Sequence, residues 1–298
     1  MIKNKKATMI LFPVALFIMV ALIFFYVNYN TKDKFQPINV GYAQMSILET
    51  YQQAEKALLY IDLSAKYSAY KTIHDLARNG GSFNDLECGK NNGFTLWNSQ
   101  DKECFQENKA IYSEFTTYFN LNLNKYLEKY KESDENEELK IPIDNYNFLF
   151  KDKQMIGIAT QNLVINKPNI NYSIKPSFKV NLDYDLFQDY EYLVEKAKEI
   201  IEKCSKNKEP EESISDCVDS LIKEFNPKVE TEEQKDFNVD KETKNFKWSY
   251  EKDGDIFMFS VEKNKKFPMY NTKTKKISEE PIIYKFALYL SQISETNP

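Results

Sequence analysis

Apolar residues along this chain fall into three successive patterns: an unbroken run, a 3.6-residue period and a two-residue alternation. The run is Ala7 to Val27, 21 residues without a charge, preceded by Lys3, Lys5 and Lys6. About 20 apolar residues in a helix span a bilayer core, so the pattern predicts a transmembrane helix at 7–27. A polar stalk follows at 28–39, with Pro37 inside it. From Val40 the period becomes helical. Ile47, Tyr51, Ala54, Leu58, Ile61, Ala65, Ala69, Ile73 and Leu76 lie three or four apart on one stripe. At about 1.5 Å rise per residue, this helix is roughly 55–60 Å long. Asn79-Gly80-Gly81 ends it.

Residues 82–105 form a loop bounded by Cys88 and Cys104, with Gly89, Gly93 and Trp97 inside. A second helix is predicted from Glu107 to Lys131, with Ile111, Phe115, Tyr118, Phe119, Leu123 and Leu127 on one face. After the acidic break Glu132 to Glu138 the period changes. Tyr146–Phe150, Met155–Ile158, Leu163–Ile165 and Tyr172–Leu182 read as strands. Helices return at Leu186–Lys203 and Ser213–Phe225, then a highly charged connection at 226–245. Phe246–Tyr250 and Ile256–Val261 flank Asp253-Gly254, a hairpin signal. A last strand covers Ile282–Leu290. Helices and strands are segregated, so the class is α+β: helical pairs packed on a mainly antiparallel sheet. One α+β domain is expected at 40–225, with 226–298 completing it, and no internal repeat is seen.

A cleaved secretory signal has a shorter apolar core and small residues at the cut. Here the run is longer and passes into Phe25, Tyr26, Val27, Asn28, Tyr29 and Asn30. The segment therefore reads as an uncleaved anchor. Pro13 is tolerated in membrane helices, and Tyr26 and Tyr29 fit an interfacial belt. The short tail 1–6 holds three lysines and no acid, against Lys32, Asp33 and Lys34 beyond the span. The positive-inside rule keeps that tail in the cytoplasm and places 28–298 outside the cell membrane.

Charge and cysteines extend this picture. The chain carries −5; Lys3, Lys5 and Lys6 contribute +3 at the anchor, so residues 28–298 carry −8. An acidic exterior argues against nucleic acid as partner. Arg78 is the one arginine among 40 basic residues, which leaves little of the guanidinium fork that suits phosphate and carboxylate sites. Cys88, Cys104, Cys204 and Cys217 lie beyond the anchor in two local pairs. Outside a cytoplasm such pairs read as disulfides, Cys88–Cys104 and Cys204–Cys217. A four-cysteine zinc site wants C-x2-C-like spacings, which are absent. No metal and no cofactor is expected.

Candidate chemistry is sparse. His74, the one histidine, stands with Asp75 and Arg78 near a helix end. A general base there has no serine or cysteine motif to serve, and a cation near a helix C-terminus is favourable by itself. Asp183, Asp185, Asp189 and Glu191 supply carboxylates for glycan hydrolysis if two converge. Tyr184, Phe187, Tyr190 and Tyr192 either stack on sugars or fill core. Trp97, in a loop on a rigid support, is a binding candidate that equally well plugs its loop onto the domain. Asn171-Tyr172-Ser173 is a glycosylation sequon. No phosphate-binding glycine loop, dinucleotide fingerprint, zinc-protease, serine-hydrolase or EF-hand motif occurs.

The lysine-flanked anchor, a long helix with Tyr51 and Tyr60, then Asn79-Gly80-Gly81, Cys88-Gly89, Trp97 and Cys104 resemble uncharacterised single-span envelope proteins of small-genome archaea. The likeness covers about residues 1–130. It implies an archaeal cell envelope as the address and no particular activity.

These readings converge on a non-enzymatic envelope protein, held in the lipid bilayer through 7–27, whose external domain binds another envelope protein or a surface polymer. Two alternatives belong to other classes. One is an anchored hydrolase of envelope peptide or glycan that uses unassigned carboxylates. The other is a pilin-like filament subunit processed near Lys6-Ala7, although its apolar segment has no glutamate and Pro37 interrupts the passage into the long helix.

Overall fold

The computed structural model describes residues 14–26, 40–133, 139, 141–151, 153–167, 170–182, 185–205, 213–226, 246–271 and 274–291. By contacts the chain divides into two units, residues 1–53 with 168–170, and residues 54–167 with 171–298.

The first unit contains helix α1, residues 14–26, and the first turns of helix α2, Val40–Arg78. The side chains of α1 are apolar and face outward; Phe17 is 77% exposed and Phe25 74%. Met19, Leu22, Ile23, Phe25 and Tyr26 line an open apolar concavity on it. Among the described residues no helix is long and apolar enough to cross a membrane. Of the expected span, residues 7–13 and 27 lie outside the described residues, as do the tail 1–6 and the stalk 28–39.

The second unit is α+β. Five strands form a mixed sheet in the order β1 (Lys90–Asn91), β2 (Phe94–Leu96), β10 (Lys276–Tyr289), β9 (Ile256–Asn271), β8 (Phe246–Asp253). All pairs in it are antiparallel except β2 with β10, where Phe286 lies opposite Thr95. The sheet is mainly antiparallel, as expected; the parallel pair arises because part of the disulfide loop, read as loop from the sequence, forms a strand that reaches the C-terminal hairpin. A second sheet orders β3 (Tyr146–Lys151), β4 (Gln154–Ala159) and β7 (Ser177–Asn181), all antiparallel. Strands β5 (Leu163–Lys167) and β6 (Ile170–Ile174) pair separately. The single strand expected at Tyr172–Leu182 is therefore two, separated at Lys175-Pro176. Proline has no N–H to give a ladder.

Helix ends follow local chemistry. α2 closes as Gly81 N–H donates to Leu76 O (2.9 Å) and Gly80 N–H to Ala77 O (3.1 Å). Gly80 and Gly81 both have positive φ, +64° and +89° respectively, the left-handed backbone that lets a helix reverse. α3 is Asn108–Ser133. α4, Leu186–Ile200, starts at Asp185, whose carboxylate accepts from Phe187 N and Gln188 N. Its last turn widens into a π-helix at Ile201–Ser205. α5, Ile214–Phe225, starts at Ser213, which accepts from Asp216 N.

The core follows the predicted periods. α2 buries Ala54, Ala57, Ile61, Ala65, Ala69, Ile73 and Leu76. Ile47 and Tyr51, placed on the same stripe by spacing, are exposed. α4 buries Leu186, Asp189, Tyr190, Leu193, Ala197 and Ile200, and the middle strands bury Phe257, Phe259, Val261, Phe286 and Leu288. Both expected disulfides are present, Cys88–Cys104 with Cα atoms 6.0 Å apart and Cys204–Cys217 with 5.7 Å. No cysteine is left free. The second bridge ties the π turn after α4 to α5.

Candidate functional site

The end of α2, the first disulfide loop, α4 and the C-terminal hairpin meet in one place. Trp97 is at its centre, 1% exposed. Its indole N–H donates to Gly80 O (3.0 Å), and its ring stacks on Phe286 with centroids 3.8 Å apart. Trp97 N–H donates to Ala287 O, and Trp97 O accepts from Cys104 N–H. Asn98 extends this docking: its side-chain amide exchanges two hydrogen bonds with the Tyr289 backbone, both 2.8 Å. Thr95 Oγ1 donates to Asn79 O (2.7 Å). Trp97 thus holds the loop onto the domain and offers no face to a ligand in this structure.

The aromatic cluster around α4 is likewise interior where it is described. Tyr190, 1% exposed, packs against Trp97 and Tyr284 and lies over Gly81. Burial pushes its phenol well above the ordinary value. Tyr192 is half-buried and stacks on Phe246 at 5.3 Å. Phe187 is also half-buried, near Tyr112 and Phe150. Tyr184 and Asp183 lie outside the described residues. Asn171 is exposed on β6, and Ser173 of the same sequon accepts from Asn162 Nδ2 (2.9 Å).

Among the described residues, Asp185, Asp189 and Glu191 do not form a pair suited to hydrolysis. Asp185 caps the helix, Glu191 is exposed, and Asp189 faces the core. Asp189 is joined there by two residues that the sequence reading did not select. Lys263 Nζ donates to Asp189 Oδ1 (2.7 Å) and Oδ2 (2.5 Å), and Tyr284 OH donates to Oδ2 (3.0 Å). Lys263 also lies 5.4 Å from the Phe246 ring centre. Burial raises the Asp189 carboxyl above its ordinary value, although the charge and hydrogen bond of Lys263 and the bond from Tyr284 pull it down. A signal for Lys263 was present: Phe257, Phe259, Val261 and Lys263 alternate along β9, so a strand extended past Val261 points its lysine inward. An inward lysine needs a partner.

A second polar cluster surrounds His74, which is buried near the end of α2. Its Nδ1 lies 3.4 Å from Asp75 Oδ1 and its Nε2 3.4 Å from Glu280 Oε2. Lys71 donates to Asp75 Oδ2 (2.9 Å). Burial alone raises the Asp75 carboxyl, but hydrogen bonds and charge from His74 and Lys71 outweigh it and hold the group below its ordinary value. Glu280 comes from β10, more than 200 residues away in the chain, and nothing in local sequence pairs it with His74. The arrangement ties the helix to the hairpin. Among the described residues no three histidine, cysteine or acidic side chains are grouped to hold a metal.

No known protein family, characterised protein or solved structure matches the chain.

Proposed function

We propose that this is a single-span envelope protein of archaeal type. Residues 7–27 lie in the bilayer, the tail 1–6 faces the cytoplasm, and the α+β domain stands outside, where it binds another envelope protein or a surface polymer without catalysing a reaction. The observation that carries this reading is α1. Its outward side chains from Val14 to Tyr26 are almost all apolar, and removing such surface from water is worth about 25 cal/mol per Å². A hydrocarbon surrounding satisfies every position at once. Two disulfides in the second unit agree with an oxidising compartment.

The test combines alkaline extraction of membranes with thiol labelling before and after reduction. Retention in the membrane, no label before reduction and four labelled cysteines after it support the proposal. Release by alkali, or four thiols labelled without reduction, overturns it.

The pilin-like reading is favoured by one observation. Met45, Ile47, Leu48 and Tyr51 on the first turns of α2 are exposed, as a helix that joins a filament core requires. N-terminal sequencing of the mature chain separates the two: loss of residues 1–6 supports the filament, and an intact tail supports the anchor. The hydrolase reading gains nothing from Asp185, Asp189 and Glu191, which cap a helix, pair with Lys263 and point to solvent, respectively.

A further inference from the structure

We propose that the outer part of the β9–β10 hairpin, with the two helices it leans on, binds an acidic polysaccharide through Lys266, Lys275 and Lys276 and through Tyr67, Tyr126 and Tyr270. This rests on the reading of the domain as an envelope binder and names its partner and its site. Beyond Lys263 on β9 and Ile282 on β10, the two strands pair only with each other among the described residues, and so form an arm outside the sheet. The chain carries −5, yet residues 264–278 of this arm hold five lysines and no acid. Lys266, Lys275 and Lys276 are exposed, and none is ion-paired to another described residue. One sign of charge gathered on a molecule of the other sign draws a polyanion to that place.

Three elements far apart in the chain each bring a half-buried tyrosine to this arm: Tyr67 from α2, Tyr126 from α3 and Tyr270 from β9. The Tyr270 ring centre is 5.9 Å from that of Tyr67 and 6.4 Å from that of Tyr126, with the planes tilted by 45° and 53°. The support beneath is packed. Tyr70 and Phe267, both buried, lie with ring centres 5.1 Å apart and hold the arm to α2. Tyr60 OH donates to Tyr126 O (2.6 Å) and joins α2 to α3. The charged and aromatic parts adjoin. Lys266 and Tyr270 stand on one face of β9, four residues apart, and Ile277 of β10, also exposed, lies opposite Tyr270.

A tyrosine offers an apolar ring to the C–H face of a sugar and a hydroxyl to its hydroxyls, at little cost in conformational freedom. Burial and the neighbouring phenols of Tyr270, Tyr60 and Tyr67 raise the Tyr126 phenol above its ordinary value, so it keeps its proton and can donate. Lysine ammonium groups meet carboxylates as point charges and need no guanidinium fork. Two other polyanions fit less well. Nucleic acid is a dense polyelectrolyte that the acidic remainder of the chain repels. An acidic peptide matches the lysines but brings no array of ring hydroxyls to the tyrosines.

Binding of fluorescently labelled polymers to the purified full chain at low salt tests this, with polygalacturonate as the acidic glycan and dextran, poly-glutamate and single-stranded DNA as comparisons. Polygalacturonate is expected to bind more tightly than the other three. Changing Lys266, Lys275 and Lys276 together to Gln should weaken it about tenfold. Changing the exposed Lys175, Lys179 and Lys223 to Gln, an equal change in net charge, should leave it unaltered. Tyr270→Leu should weaken polygalacturonate about fivefold and poly-glutamate hardly at all. No binding of polygalacturonate overturns the proposal, as does equal or tighter binding of poly-glutamate or DNA. Equal losses in the two triple-lysine variants overturn the site, and the exposed lysines decide this even if Tyr270→Leu fails to fold. Alkaline extraction and thiol labelling test the envelope reading separately: a chain that passes them and binds no polygalacturonate overturns this inference alone.

Discussion

Gly81 is the position where one methyl group tests the packing of the junction. A Cβ built there overlaps the Tyr190 ring at Oη, Cζ and Cε2, and the backbone φ is +89°. The substitution Gly81→Ala therefore has two costs. Placing a Cβ in left-handed backbone costs about 1–2 kcal/mol. Forcing the Tyr190 ring aside is an overpacking event of about 1–3 kcal/mol, because the ring is enclosed by Trp97 and Tyr284 and cannot swing into solvent. Gly89 separates the two effects. It has φ +78° but open space around its Cβ, so Gly89→Ala has only the backbone cost. The expected losses are about 2–5 kcal/mol for Gly81→Ala and about 1–2 for Gly89→Ala. Against a total of about 5–15 kcal/mol, that difference is large enough to measure. The assay is urea unfolding of the purified chain without reductant, followed by the fluorescence of the buried Trp97 and Trp248. In a Tyr190→Ala background, the extra cost of Gly81→Ala should disappear. Equal losses at the two glycines, or an extra cost that survives Tyr190→Ala, would refute the packing described for this junction.

Three other outcomes follow from the same geometry. Replacing Cys204 and Cys217 by serine should cost about 3 kcal/mol in unfolding free energy, the loop entropy of a bridge of that size; a loss within experimental error would mean the α4–α5 region is held without it. Asp75 has a depressed folded value, so its stabilising contribution is present above its ordinary value of 3.8 and fades as pH falls through the folded value. Asp75→Asn should flatten the acid limb of the stability–pH curve in that window, and an unchanged limb would count against the His74–Asp75–Lys71 cluster. Tyr250 donates to Asp219 Oδ1 (2.8 Å), and burial together with that bond and the Asp219 charge pushes its phenol up to about 12. The ultraviolet difference titration of wild type against Tyr250→Phe should show one phenol ionising near that pH, and Asp219→Asn should lower it.

Much of the fold was legible because its elements obey short-range rules. The α2 stripe from Ala54 to Leu76, the glycine stop and the Asp253-Gly254 hairpin each depend on a few neighbouring residues, and each appears where its pattern stands. The cysteine pairs were legible for a related reason: each closes a local loop, 16 and 13 residues apart. The strand ends were less legible. β9 continues ten residues past Val261, through charged positions that a two-residue alternation counts as loop. β10 pairs with it across a register shift between Pro281 and Ile282, at a proline that has no N–H to give the ladder. Trp97 was selected as a loop aromatic on a rigid support. Its loop folds back so that the indole meets Gly80, 17 residues earlier, and Phe286, near the C-terminal end of the chain.

The sequence by itself determined the helices, the hairpin, the staples and the apolar N-terminal run, because periodicity, capping and charge act between near neighbours. Only the tertiary structure decided which polar groups meet. Asp189 reaches Lys263 and Tyr284 across 74 and 95 residues, and His74 reaches Glu280 across more than 200. Such pairs form because a buried charge is costly without a partner, and the identity of that partner depends on how the elements pack together.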